Sequence, residues 1–178
     1  MQLTIQHTWD GNPIGADEVA TVTVTRESAG LRLQITAPHH HDPLPEHGPG
    51  SVPGLWEYEV VELFLAGPGN PTPYLEVEVG PGAHHLVLTL LGVRNAVRSG
   101  LPIELTVTSS GSHWHADARI ADDLLPPEPW AVNATATHGQ GDERRYLSAV
   151  PLPGDAPDFH QPGAFLPFRK TPSPPPAS

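Results

Sequence analysis

At 178 residues the chain is long enough to bury a full core within one domain, and its 9 Lys and Arg against 20 Asp and Glu leave a formal charge of −11. That balance argues against nucleic acid and anionic membrane surfaces as partners, because phosphate binding needs clustered cations. The absence of cysteine excludes disulfides, Cys-ligated zinc and thiol catalysis.

Taken in chain order, Met1 to Gln6 enters strand-like alternation at once, without the cationic segment and apolar run of a signal peptide. No later stretch is long and apolar enough to span a bilayer, so the expected location is the cytoplasm. Period-two patterns follow at Val22/Val24, Leu31/Leu33/Ile35, Val60 to Leu65, Leu75/Val77/Val79, Leu86/Leu88/Leu90 and Leu105/Val107. They continue through Trp114/Ala116/Ala118/Ile120, Val132/Ala134/Ala136 and Tyr146 to Val150. The 23 prolines and 17 glycines punctuate these runs, which predicts short strands joined by stiff turns. The expected fold is all-β, an antiparallel β-sandwich over residues 1–170, with a proline-rich disordered tail over 171–178. One short helical turn is expected at Asp122-Asp123-Leu124-Leu125, stopped by Pro126-Pro127 and plugging one end of the sandwich.

The run Leu55 to Leu65 is the centre of the pattern. Tyr58, Val60, Glu62 and Phe64 share one face of a strand, and Val61, Leu63 and Leu65 share the other. Both faces are apolar, so the strand is covered on both sides and Glu62 is a carboxylate that needs a partner. Arg94, Arg98, Arg144 and Arg145 are the candidates. Trp56 follows Pro53-Gly54; were the strand straight, it would lie roughly 20 Å from Glu62, whereas a loop can fold it back.

Three constellations carry chemistry. Glu76 and Glu78 alternate with Leu75, Val77 and Val79, so Glu62, Tyr74 and Glu76 fall on one sheet face. Two carboxylates beside the rings of Trp56 and Tyr74 suit sugar hydroxyls, which acids bond and rings stack upon. The competing reading of Glu76 and Glu78 is an exposed acidic face. A glycosidase uses the same residue types, with its carboxyl groups about 5 Å apart for retention or about 6.5–9.5 Å for inversion. The loop His39-His40-His41-Asp42-Pro43-Leu44-Pro45-Glu46-His47 has ligands suited to zinc, nickel or copper but lacks a rigid frame. In His113-Trp114-His115 the histidines are expected on a solvated face over a buried tryptophan. No Gly-x-Ser-x-Gly elbow or Walker loop accompanies these groups.

Leu55-Trp56-Glu57-Tyr58-Glu59-Val60-Val61-Glu62-Leu63-Phe64-Leu65, followed by Tyr74-Leu75-Glu76-Val77-Glu78-Val79-Gly80, resembles the central signature of the carbohydrate-binding module family 9-like, or DOMON-like, β-sandwiches. Trp114 to Ile120, Trp130-Ala131-Val132-Asn133 and Pro157-Asp158-Phe159-His160-Gln161-Pro162 follow in the order of that family. The resemblance implies a non-catalytic module that grips a glycan between two aromatic rings, with calcium as structural support. It matches Trp56 to the first ring and Glu62 to an acidic residue of the site. Tyr146 or Phe159 would have to serve as the second ring. The wider group's methionine–histidine haem ligation is ruled out by Met1 being the sole methionine, which leaves bis-histidine ligation open. The expected function is binding of a small neutral ligand, a saccharide, at Trp56, Glu62, Tyr74 and Glu76, with Asn133 and His160 as further candidates. The alternatives are a hydrolase, either a carboxylate-pair glycosidase or a His-ligated metal enzyme, and a protein-interaction scaffold.

Overall fold

The computed structural model describes residues 1–169, so the tail expected over 171–178 lies outside the described residues. The chain forms β1 (Gln2–Ile5), β2 (His7–Thr8), β3 (Ala20–Glu27), β4 (Gly30–Pro38), β5 (Gly50–Ser51), β6 (Val60–Ala66) and β7 (Pro73–Val79). It continues with β8 (His84–Leu91), β9 (Ala96–Ser99), β10 (Glu104–Ser110), β11 (His113–Ala121), β12 (Ala131–His138), β13 (Arg145–Ser148) and β14 (Leu166–Pro167). The expected β-sandwich is present. One sheet runs β1-β3-β4-β11-β10, and the other runs β2-β13-β12-β6-β7-β8-β5, with β9 on β8 and β14 on β12. All pairings are antiparallel except β5 with β8.

Alternation explains the layers. The first sheet turns Val22, Val24, Leu33, Ile35, Trp114, Ala118 and Ile120 inward, where they meet Val61, Leu63, Leu65, Val77, Val79, Val132 and Ala134 of the second. His113 and His115 point away from this core and are half-buried, with Trp114 fully buried between them. The short turn at Asp122–Leu124 is a single 3-10 turn whose Leu124 closes one end of the core. Among the described residues no helix is long and apolar enough to cross a membrane.

The second sheet is buried on both faces around β6, as its sequence requires. Its outer face carries Val60, Phe64, Ala66, Tyr74, Leu86 and Leu90, which form a second apolar cluster with Val52, Leu55 and Phe165 from covering loops. Those loops leave the middle of the face open. Strands β5, β9 and β14 escape the sequence pattern because they are short and edge-like; every residue of β9 is exposed, so no alternation marks it.

Candidate functional site

The opening in the outer face is a cavity of about 940 Å³. Its floor comes from β6, β7 and β8, and its walls from the turn carrying Trp56, the loop at Gln140, Gly141 and Arg144, Arg94, and the segment 157–160. Gly54 adopts a left-handed conformation (φ 76°) and leads into a 3-10 turn at Leu55–Glu57, which bends Trp56 back over the strand that follows. Trp56 and Glu62 therefore line one cavity although they stand six positions apart in the sequence. The Arg144 guanidinium fixes this turn, donating to the carbonyl of Gly139 (2.8 Å) and to those of Trp56 (2.6 Å) and Tyr58 (3.1 Å). Trp56 is 49% exposed and Tyr146, on β13, is 37% exposed; both rings line the cavity, with Phe159 packed edge-on to Tyr146 at 6.3 Å.

Two carboxyl groups, Glu62 and Glu76, line the floor, and Glu78 is buried beside them on the same sheet face. Glu62 lies opposite Glu78 across the β6–β7 ladder and opposite Thr135 on β12, while Glu76 is two residues from Glu78 on the same face. All three are buried, which overturns the reading of Glu76 and Glu78 as an exposed acidic face. Their alternation with core residues placed them on the outer face correctly; the covering loops, distant in sequence, bury them. Burial raises the Glu62 carboxyl to about 7, with Thr135 and Arg144 drawing it back. Burial, then the charge of Glu62, raises Glu76 to about 8. Burial, then Glu62 and Glu76, raises Glu78 to about 10. Among the described residues Glu62 has no salt bridge: Arg145 binds Glu18 and Arg94 binds Asp158 (2.9 Å), leaving Arg144 to act on it from a distance.

Of the sequence-expected residues, Trp56, Glu62, Glu76 and His160 line the cavity, and Tyr74 and Asn133 do not. Tyr74 is buried behind the wall, where its hydroxyl accepts from the Arg94 backbone N–H (2.9 Å) and meets His160 Nδ1 at 2.8 Å. With Arg94 as donor, the hydroxyl proton is free to point at Nδ1, which is an acceptor on a neutral imidazole. Burial, then Arg94, lowers the His160 pKa in keeping with that form. Asn133 is buried and structural: its Nδ2 donates to Ser148 Oγ (3.0 Å), and its Oδ1 accepts from the N–H groups of Ala134 (2.9 Å) and Val150 (3.2 Å). Arg144 was not foreseen as a wall residue, since a turn arginine carries no periodic signal.

The histidine loop is held by hydrogen bonds. Glu59 accepts from the backbone of His40 (3.1 Å) and Asp42 (3.4 Å), and Asp42 accepts from Gly139 (2.5 Å). His40 stacks on His138 at 3.6 Å. Among the described residues no three His, Asp or Glu side chains converge to hold a metal ion, so neither the histidine metal nor the calcium implied by resemblance is assigned ligands.

A solved structure of a candidate carbohydrate-binding protein from Bacteroides uniformis ATCC 8492 shares this fold, with a TM-score of 0.72 at 14% identity, over 93% of this chain and 84% of that one. No family model matches the sequence, so the finer resemblance to carbohydrate-binding module family 9 has no such support. The UPF0462 protein C4orf33 homolog of Mus musculus is 36% identical over 176 residues, spanning 94% of this chain and 91% of that protein. Its Danio rerio counterpart is 38% identical over 94% of this chain and 88% of its own. On this similarity along nearly its whole length, the chain belongs to the UPF0462 family.

Proposed function

We propose that this protein binds a saccharide in the outer-face cavity, without turnover. The observation that carries the reading is a floor of buried carboxylates, Glu62 and Glu76, beneath two solvent-facing rings, Trp56 and Tyr146. Soluble proteins bury unpaired carboxylates at a cost and leave large aromatic rings exposed where a ligand covers them. A pyranose answers both needs: its C–H face stacks on a ring while its hydroxyls bond the acids. The cavity volume lies in the range of small-molecule sites. The likeness to a candidate carbohydrate-binding protein supports the same reading from the fold side.

The test is a thermal-shift and calorimetric screen of the metal-stripped protein against neutral hexoses, pentoses and short oligosaccharides, with and without added calcium. A saturable shift with one sugar class, weakened about tenfold or more in Trp56→Ala while the unliganded midpoint stays nearly constant, is the expected result. Absence of any sugar-dependent shift, or a Trp56→Ala variant that binds as tightly as the parent, overturns the reading. Calcium as a structural ion would show as a midpoint shift independent of sugar.

A further inference from the structure

Three buried carboxyl groups on one sheet face are more acid than sugar hydroxyls require. Glu62 and Glu78 face each other across the ladder and Glu76 follows on the same face, so ionising any one sets it against the others. The hydrogen bonding around them is incomplete. Glu76 Oε2 has no hydrogen-bond partner among the described residues, and the nearest cationic candidate, His160 Nδ1, stands 3.9 Å away on a ring already engaged by Tyr74. Neither oxygen of Glu78 has a hydrogen-bond partner there either. Glu76 is only 3% exposed, yet the residue lines the cavity beside Glu62, while its unpartnered Oε2 is closed off from solvent and turned toward His160.

Acidic side chains outnumber arginines around the cavity. Glu57, Glu62, Glu76 and Asp158 line it, against Arg94, Arg144 and His160. Arg94 is already paired with Asp158, and Arg144 is engaged by three backbone carbonyls. The exposed rings of Trp56 and Tyr146 add faces that attract positive charge. A hydroxyl placed between Glu62 and Glu76 supplies one donor; an ammonium supplies three and carries the charge that favours the ionised form of the two carboxyl groups.

We propose that the saccharide taken by this cavity carries a free amino group, held as an ammonium between the carboxylates of Glu62 and Glu76 with Glu78 behind them. This rests on the saccharide reading above and narrows it to amino sugars.

The experiment is calorimetric titration of the full chain at pH 7 with glucosamine, galactosamine and mannosamine, each beside its neutral parent hexose and its N-acetyl form. At least one hexosamine should bind roughly tenfold or more tightly than both its parent and its N-acetyl form, the scale of charge-assisted hydrogen bonds. Glu76→Gln should erase that preference, so that within the variant the hexosamine binds no more tightly than its parent hexose; if it fails to fold, Glu62→Gln and the N-acetyl comparison on the unaltered chain decide. A parent hexose that binds as well as its amine overturns the amino-sugar proposal and leaves saccharide binding standing. Preference for the amine that survives both Gln substitutions overturns the placement. No binding of any of the nine compounds overturns both readings.

Discussion

Alternate residues of the same two strands do opposite work. On the inner face of β6 and β7, Val61, Leu63, Leu65, Leu75, Val77 and Val79 meet the facing sheet and leave no polar atom to satisfy. On the outer face, one residue along, Glu62, Glu76 and Glu78 are as thoroughly buried, and among the described residues Glu76 Oε2 and both oxygens of Glu78 have no hydrogen-bond partner. The inner face is where the fold obtains stability; the outer face is where it gives some up. A carboxylate held out of water costs several kcal/mol unless paired, and a protein retains such groups where a ligand meets them. The proposed site rests on that difference, within a sheet whose two sides have the same burial.

The strongest way to break that comparison is pH. In the unfolded chain these glutamates ionise near 4.5, whereas in the fold they ionise near 7, 8 and 10. The folded protein therefore holds protons that the unfolded chain has released, and stability is fully present below about pH 4.5 and lost as pH rises through 7 and beyond. Each tenfold gain in a carboxylate's proton affinity on folding is worth about 1.4 kcal/mol, so even the smallest of the three shifts, that of Glu62, is a sizeable part of a domain's net stability. Chemical denaturation followed from pH 5 to pH 9 should show that fall. Glu78→Gln should match the parent at pH 5 and exceed it by a few kcal/mol at pH 9; equal stability at both would mean Glu78 has found a partner. On the inner face, Leu63→Ala should lower stability by about 2–5 kcal/mol at every pH, because it leaves a cavity in a closed core. Its folded fraction should bind saccharide like the parent.

The inner face was legible from sequence because its signal is periodic. Trp114, Ala116, Ala118 and Ile120 alternate with His113, His115, Asp117 and Arg119, and the strand follows that pattern without a break. The outer face was legible by parity alone. Alternation put Glu62, Glu76 and Glu78 together, but the apolar groups packed on the same face from outside the ladder, Val52, Leu55, Phe159 and Phe165, belong to segments whose positions no local pattern dictates. For the same reason Tyr74 and Asn133 looked like wall residues and proved to stand behind it. Each is polar and shares the outer-face parity, and only the register shows that a neighbouring loop or strand end has claimed its polar atoms. Arg144, which ties two loops through carbonyl groups, leaves no trace in periodicity at all.

Asn133 sharpens the comparison at an intermediate scale. It lies on the outer face yet serves the fold, since its side chain binds Ser148 Oγ and the N–H groups of Ala134 and Val150 at the junction of β12 and β13. Asn133→Ala removes all three bonds from a buried site, and leaving such groups unsatisfied costs about 1–3 kcal/mol. Urea denaturation should report that loss, while saccharide affinity stays within a few-fold of the parent. A selective loss of affinity at unchanged stability would return Asn133 to the site.

The smallest stability effect is expected at Tyr146, and it is the most discriminating. The ring stands beside Thr137 in the ladder, is more than a third exposed, and touches Phe159 edge-on at 6.3 Å. The hydrogen bond from the N–H of Trp9 is to its backbone carbonyl, so truncating the side chain leaves that bond intact. Tyr146→Ala should cost less than about 1 kcal/mol of stability, the worth of one partly exposed aromatic contact. If the ring is a stacking surface facing Trp56 across the cavity, the same substitution weakens saccharide binding about tenfold. Tyr146→Phe should restore most of the affinity, because stacking needs the ring and not the hydroxyl. A loss of about 2 kcal/mol or more in the unliganded protein, with binding unchanged, would instead make Tyr146 a support for Phe159 and leave Trp56 as the sole ring available to a ligand.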